Sequence, residues 1–117
     1  MTTSYRLERS PQVGRDLRVI LQFLMRSHAH FGEPFGRART RAAKRVQRVE
    51  TQMEKLAKLP HQGARRDDLI PGLRSVTKER AIFYFTVDEE ARVVRVLAVF
   101  FGGQDHRRAM LRRLLSE

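Results

Sequence analysis

The sequence contains no cysteine and no tryptophan, and among its 117 residues there are only four histidines and four prolines. Each scarcity removes a class of function. Without cysteine there are no disulfides, no thiolate nucleophile and no zinc site built on sulfur, and the histidines lack the paired spacing of a metal site, so neither metal nor cofactor is expected. No stretch approaches the roughly 18 consecutive apolar residues of a membrane span, and the polar first ten residues carry no signal-peptide core. The expectation is a cytoplasmic protein without a membrane partner. No glycine-rich loop is followed by Lys and Ser or Thr, so NTP binding is not expected.

Acidic residues are also scarce. Thirteen Asp and Glu stand against 24 Lys and Arg, a formal charge of +11. Arginine supplies 20 of the 24, and the segment Arg37 to Arg66 holds ten basic residues against Glu50 and Glu54, a local net of +8. Self-repulsion of this size favours an acidic or polyanionic partner, while a solvated basic surface is the plainer alternative. What remains is a globular composition: 41% hydrophobic residues, with seven Phe and two Tyr. The length suits one packed core, so residues 1–117 are read as a single domain.

The periodicity along the chain changes several times. Ser4 to Ser10 alternates Tyr5 and Leu7 against Arg6 and Glu8, the period of a half-buried strand. From Gln12 the apolar residues Val13, Leu17, Ile20, Leu21 and Leu24 recur at helical spacing, with Ser10 as N-cap and Pro11 in the first turn, which predicts a helix ending near His28. After the breaker-rich HAHFGEPFG, a second helix is predicted from about Pro34 to Leu59. Phe35, Ala38, Ala42, Val46, Val49, Met53 and Leu56 form its buried stripe; Arg37, Arg41, Lys44, Arg45, Arg48, Lys55 and Lys58 form the opposite, basic one. Residues 60–72 read as a loop. Leu73 to Thr77, Ala81 to Val87 and Val93 to Phe101 read as strands, the last two joined by a polar hairpin, and Asp105 can cap a final helix through Leu115. The order predicts an α+β fold: an N-terminal strand, an antiparallel helical hairpin on a small, mostly antiparallel sheet, and a short C-terminal helix.

Pro71, Gly72, Leu73 and Arg74, then Ala81, Ile82, Phe83 and Tyr84, then Val94, Val96, Leu97 and the turn Gly102, Gly103, Gln104, Asp105 resemble the C-terminal half of the ParE/RelE toxin superfamily. The first strand, Asp16 and Leu17, and the helical hairpin fit its N-terminal half, so the resemblance spans roughly residues 4–112. It implies the toxin of a type II toxin–antitoxin pair, assembled with a cognate acidic antitoxin protein as a hetero-oligomer. Two activities follow from the resemblance. ParE-like members inhibit DNA gyrase by protein contact, and RelE-like members cut messenger RNA in the ribosome without a metal. A third reading is a basic domain that binds antitoxin without toxicity.

For a gyrase-binding surface the resemblance points to Arg74, Phe101, Gln104, Asp105, His106, Arg107 and Arg108. A nuclease would have to draw its groups from Arg74, His106, Arg107 and Arg108, with His106 the available acid near neutral pH. The basic turn and tyrosine that RelE-like members carry beyond the last strand are missing, and Phe101 stands where many ParE-like relatives have His. The turn Gly102, Gly103, Gln104, Asp105 is closer to the ParE-like pattern of a strand end, a small or basic turn and an Asp, and on that ground the ParE-like reading is preferred. Charge and the exposed stripe assign antitoxin binding to Arg37, Arg41, Arg45 and Arg48. Tyr84 reads as a half-buried sheet residue, and Asp67 and Asp68 as turn residues.

Overall fold

The computed structural model describes residues 4–30, 32, 34–102 and 105–116. In chain order these form β1 (Arg6–Arg9), α1 (Pro11–His30), α2 (Phe35–Glu54) continued by one 3-10 turn (Lys55–Lys58), β2 (Ala64–Arg65), β3 (Arg74–Lys78), β4 (Ala81–Asp88), β5 (Val93–Phe101) and α3 (His106–Leu115). The five strands make one sheet in the order β1-β5-β4-β3-β2. β1 lies parallel to β5, and the other pairings are antiparallel. This is the expected α+β architecture, with one strand more than the sequence pattern discloses.

The helices cover one face of the sheet. Val13, Leu17 and Ile20 of α1 and Val46, Val49 and Met53 of α2 pack with Phe83 and Phe85 of β4 and Val94, Val96, Val99 and Phe101 of β5. A smaller cluster occupies the opposite face, where Leu73, Ile82, Tyr84 and Ala98 meet Met110 of α3. Alternation along β4 sorts Phe83 and Phe85 to the helical hairpin and Tyr84 to α3, which is why this strand is apolar throughout.

Several local expectations need correction. Phe35 is 68% exposed, because the buried stripe of α2 begins one turn later at Ala38. α2 does not continue as an α-helix to Leu59; it tightens to 3-10 after Glu54, and Leu59 leaves the helix at φ −133° just before Pro60, which cannot supply a helical N–H. Ser10 stands just before α1, where its carbonyl accepts the Val13 N–H at 3.0 Å and its hydroxyl donates to the Leu97 carbonyl at 3.1 Å. The loop over residues 60–72 contains β2. Gly63 permits this at φ 84°, since a Cβ there would stand 2.3 Å from the Ser75 carbonyl oxygen.

β5 carries a bulge. Tyr84 pairs with Ala98 and Phe85 with Val96, leaving Leu97 as the extra residue. Residues Val94 and Val96 before the bulge and Val99 and Phe101 after it all reach the helices. The bulge also turns backbone groups out of the ladder, beyond the point where β1 ends. Asp16 of α1 takes the Val99 N–H at 3.1 Å, and Arg113 of α3 donates to the Leu97 carbonyl at 2.9 Å. Asp16 and Arg113 are themselves paired at 2.5 Å, with side chains only 7% and 16% exposed.

Removing one partner of a buried ion pair strands the other charge, at a cost of about 3–5 kcal/mol. Asp16→Ala should therefore lower the unfolding free energy by about that amount. Asp16→Asn, which retains an acceptor for Val99, should cost less, and Asp16→Leu combined with Arg113→Met should recover part of the loss. Denaturant titration checks the series; equal stability of wild type and Asp16→Ala would contradict the pairing.

Candidate functional site

The C-terminal end of the sheet does not gather the residues expected there. Gln104, like Gly103, lies outside the described residues. Phe101 faces the helices, where its ring meets Phe23 at 6.1 Å and the Arg45 guanidinium at 5.8 Å. Asp105 serves the local backbone, accepting the Arg108 N–H at 3.1 Å as the cap of α3. Arg108 beside it is exposed.

His106 lies on the other face of the sheet. Its ring stacks on Phe100 at 6.0 Å, and Nε2 lies 3.0 Å from the Gly102 carbonyl. A carbonyl only accepts, so Nε2 carries the proton in that contact, leaving Nδ1 buried without a partner. Arg107 donates to Asp68 at 3.2 Å.

Arg74 is remote from this group. It pairs across the strands with Phe85 and so shares the helical face, where Nη1 donates to the His61 carbonyl at 2.8 Å. His106, by contrast, stands beyond Phe100, which pairs with Ile82 near the other end of β4. Arg74 and His106 are thus separated by the sheet itself and by several residues along it.

Arg66 also lies on the α3 face: its Nε donates to Ser75 at 2.9 Å, and Ser75 pairs with Tyr84. Sequence reading missed Arg66 because it follows a strand of only two residues, too short for a period from which to assign a face. Burial raises the Tyr84 phenol above its ordinary value; Arg66 and Arg107 oppose that shift and Asp68 and Asp105 add to it. The phenol is therefore protonated at neutral pH and unsuited to act as a base.

A second group, at the β4–β5 hairpin, has no sequence signal because its members lie far apart in the chain. Tyr5 donates to Glu89 at 2.6 Å, His61 pairs with the other carboxylate oxygen, and Arg92 lies over the Tyr5 ring at 5.9 Å. His61, Glu89 and Arg92 are exposed and Tyr5 is half-buried, and the group ties the start of the chain, the hairpin and the segment after α2 together.

On α2, Arg37 and Arg41 are exposed, as expected of a partner-binding stripe. Arg48 is exposed as well, at 56%, whereas Arg45 turns inward, 23% exposed, and donates to the Glu79 carbonyl at 3.2 Å. Among the described residues no group of three or more His, Cys, Asp or Glu is placed to hold a metal ion, and no helix is long and apolar enough to cross a membrane.

His61 first, and Tyr5 second, hold the Glu89 carboxyl below its ordinary range. A carboxylate depressed on folding stabilises above its unfolded pKa, and that contribution is lost as pH falls through the folded value. The melting temperature of the wild type should therefore fall more steeply than that of Glu89→Gln on acidification from about pH 5 to about pH 3. The difference should be small and reduced by salt, since the groups are exposed. Glu8 and Asp67, also depressed, are common to both proteins and cancel. Parallel curves would contradict the contact.

No protein-family model and no curated protein matches the chain. Solved structures do. A chromosomal ParDE toxin–antitoxin system from P. aeruginosa aligns with TM-score 0.64 and 22% identity over 86% of this chain and 98% of that one. The RelBE2 toxin–antitoxin complex of Mycobacterium tuberculosis aligns with TM-score 0.57 and 16% identity over 86% of this chain and 100% of that one. The isolated E. coli RelE toxin aligns with TM-score 0.53 and 11% identity, over 95% of this chain and 99% of that one. The strand order, the helical hairpin and the short C-terminal helix thus make up a ParE/RelE toxin-like fold.

Proposed function

We propose that the chain is the toxin of a type II toxin–antitoxin pair, acting in the cytoplasm on DNA gyrase by protein contact and neutralised by an acidic antitoxin. The observation that carries the reading is the likeness to toxin folds over 86–95% of the chain. The formal charge of +11 suits an acidic partner and speeds its capture.

The preference for contact over cleavage rests on the scattered acid–base set. Metal-independent cleavage of a phosphodiester needs a base, an acid and charge stabilisation converging on one phosphate. Arg74 and His106 lie on opposite faces of the sheet, Arg107 is engaged by Asp68, and burial keeps the Tyr84 phenol protonated. The ribosome-dependent ribonuclease is the second reading. It is favoured by one observation, the flanking of Tyr84 by Arg66 and Arg107 on the α3 face.

Purified chain should inhibit gyrase supercoiling with accumulation of cleaved DNA, and should leave ribosome-bound messenger RNA intact. Codon-dependent cuts in a translating extract that vanish in Arg66→Ala or His106→Ala, with normal supercoiling, would reverse the order of the two readings. Arg107→Ala with Arg108→Ala should abolish inhibition while the melting temperature stays close to wild type, because exposed substitutions usually change stability by only about half a kcal/mol.

The acidic antitoxin segment is assigned to the exposed face of α2. Reversing Arg37, Arg41 and Arg48 to Glu should slow association by about tenfold or more at low salt and flatten its salt dependence, with a smaller effect on dissociation. Stopped-flow mixing with the antitoxin reads both rates. An unchanged association rate would place the partner elsewhere.

A further inference from the structure

A cavity of about 170 Å³ opens where α2 passes the β3–β4 turn, and its charged walls are Arg41, Arg45, Arg48 and Arg80. Three of these arginines project from α2 at helical spacing, and Arg80 comes from the turn opposite, so guanidinium groups approach from two sides. Among the described residues, the compensation of Arg45 and Arg48 is incomplete. Glu79 stands 3.8 Å from both Arg45 and Arg48, beyond hydrogen-bonding distance. The Arg45 Nε is buried and has no hydrogen-bond partner. A buried donor without an acceptor is rare and costly, and it marks a place where an acceptor fits.

The turn that supplies Arg80 is itself unusual. Glu79 and Arg80 occupy the left-handed region, at φ 54° and 64°. Two-residue hairpin turns that need two positive φ values favour Asn-Gly, and side-chain-bearing residues there store strain. Strain of this kind is retained where a side chain is needed, and Arg80 lines the cavity.

A larger chamber, about 430 Å³, adjoins the first and shares Leu24, His28, Arg80 and Phe101 with it. Phe23 also lines it and is 42% exposed. The pair of cavities therefore has a cationic end and an aromatic end with a common wall.

We infer that this double cavity binds a nucleoside phosphate, with the terminal phosphate among Arg45, Arg48 and Arg80 and the base against the exposed Phe23. A planar carboxylate satisfies one guanidinium fork, whereas a tetrahedral dianion offers acceptors to several donors converging from different directions. Aromatic faces stack any base, so the site selects the class of ligand and not one base. The missing glycine-rich loop is no obstacle, because side-chain guanidinium groups replace the backbone N–H cradle. The site stands on these cavities alone, independently of the toxin reading.

Isothermal titration calorimetry of the 117-residue chain without any partner tests it, with AMP, adenosine and glutarate as probes. AMP should bind, adenosine should bind about tenfold or more weakly, and glutarate at matched ionic strength should not displace AMP. Arg48→Gln and Arg80→Gln, both at the surface, should each weaken AMP binding by about tenfold. Arg45→Gln should do the same; were it to unfold, the two surface variants decide. Equal binding of AMP and adenosine, no binding of AMP, or unchanged affinity in both surface variants would overturn the site. Displacement by glutarate as effective as by AMP would make it a carboxylate site and overturn it equally. Because no antitoxin or gyrase is present, neither outcome bears on the toxin reading.

Discussion

The carboxylate of Asp16 holds three elements together where the sheet would otherwise end in unpaired backbone. β1 stops at Arg9, level with Val96, so the last residues of β5 have no strand on that side. The Leu97 bulge turns the Leu97 carbonyl and the Val99 N–H toward that gap, and Asp16, Ser10 and Arg113 fill it. Buried backbone groups must find partners, and here the partners come from α1 and α3. The same contacts fix where both elements lie. They also set the faces of the residues that follow: Phe101 goes to the helices and Phe100 to α3, where it stacks with His106. Which of the C-terminal residues goes to which face is therefore set by one extra residue in one strand.

A buried ion pair contributes little net stability against a well-packed apolar replacement, since desolvation offsets the Coulomb attraction. Its value is in geometry. Arg113 meets the two Asp16 carboxylate oxygens with its two terminal nitrogens, one of which also donates to the bulge carbonyl, a fork that a lysine would not reproduce, and its guanidinium also lies 5.7 Å from the Phe100 ring. α3 is thus fastened at its C-terminal half by Arg113 and anchored in the core by Met110, while Arg107 and Arg108 near its start stay exposed.

Most of the fold was legible because it rests on pattern. Val13, Leu17 and Ile20 keep the helical period, Ala38 to Leu56 keep it longer, and the runs in β4 and β5 are too apolar to be anything but covered strands. The bulge was not legible: Val96, Leu97 and Ala98 are all apolar, so an extra residue leaves no mark on the alternation. β2 was too short to have a period, and with it the facing of Arg66 was hidden. The Glu79–Arg80 turn lacks the Asn-Gly signature, so its proximity to Arg45 and Arg48 emerged only from the register of β3 on β4. Of the residues singled out for function, Arg37, Arg41, Arg48, Arg107 and Arg108 are exposed, as a binding surface requires. Asp105 is engaged as a cap, Arg45 turns inward, and Arg74 lies apart from His106. Sequence distance carries no information about which charges converge, and that is where the reading of a site falls short of the reading of a fold.

A protein that acts by contact and one that acts by turnover differ in how their effect depends on amount and time. Titration of gyrase supercoiling with the purified chain distinguishes them most directly. Under the proposed mode of action, inhibition rises in proportion to the chain added, levels off near one chain per binding site on gyrase, and does not progress with time once mixed. Inhibition that deepens steadily with time at amounts far below gyrase, or supercoiling that proceeds unaffected at saturating chain, would contradict it.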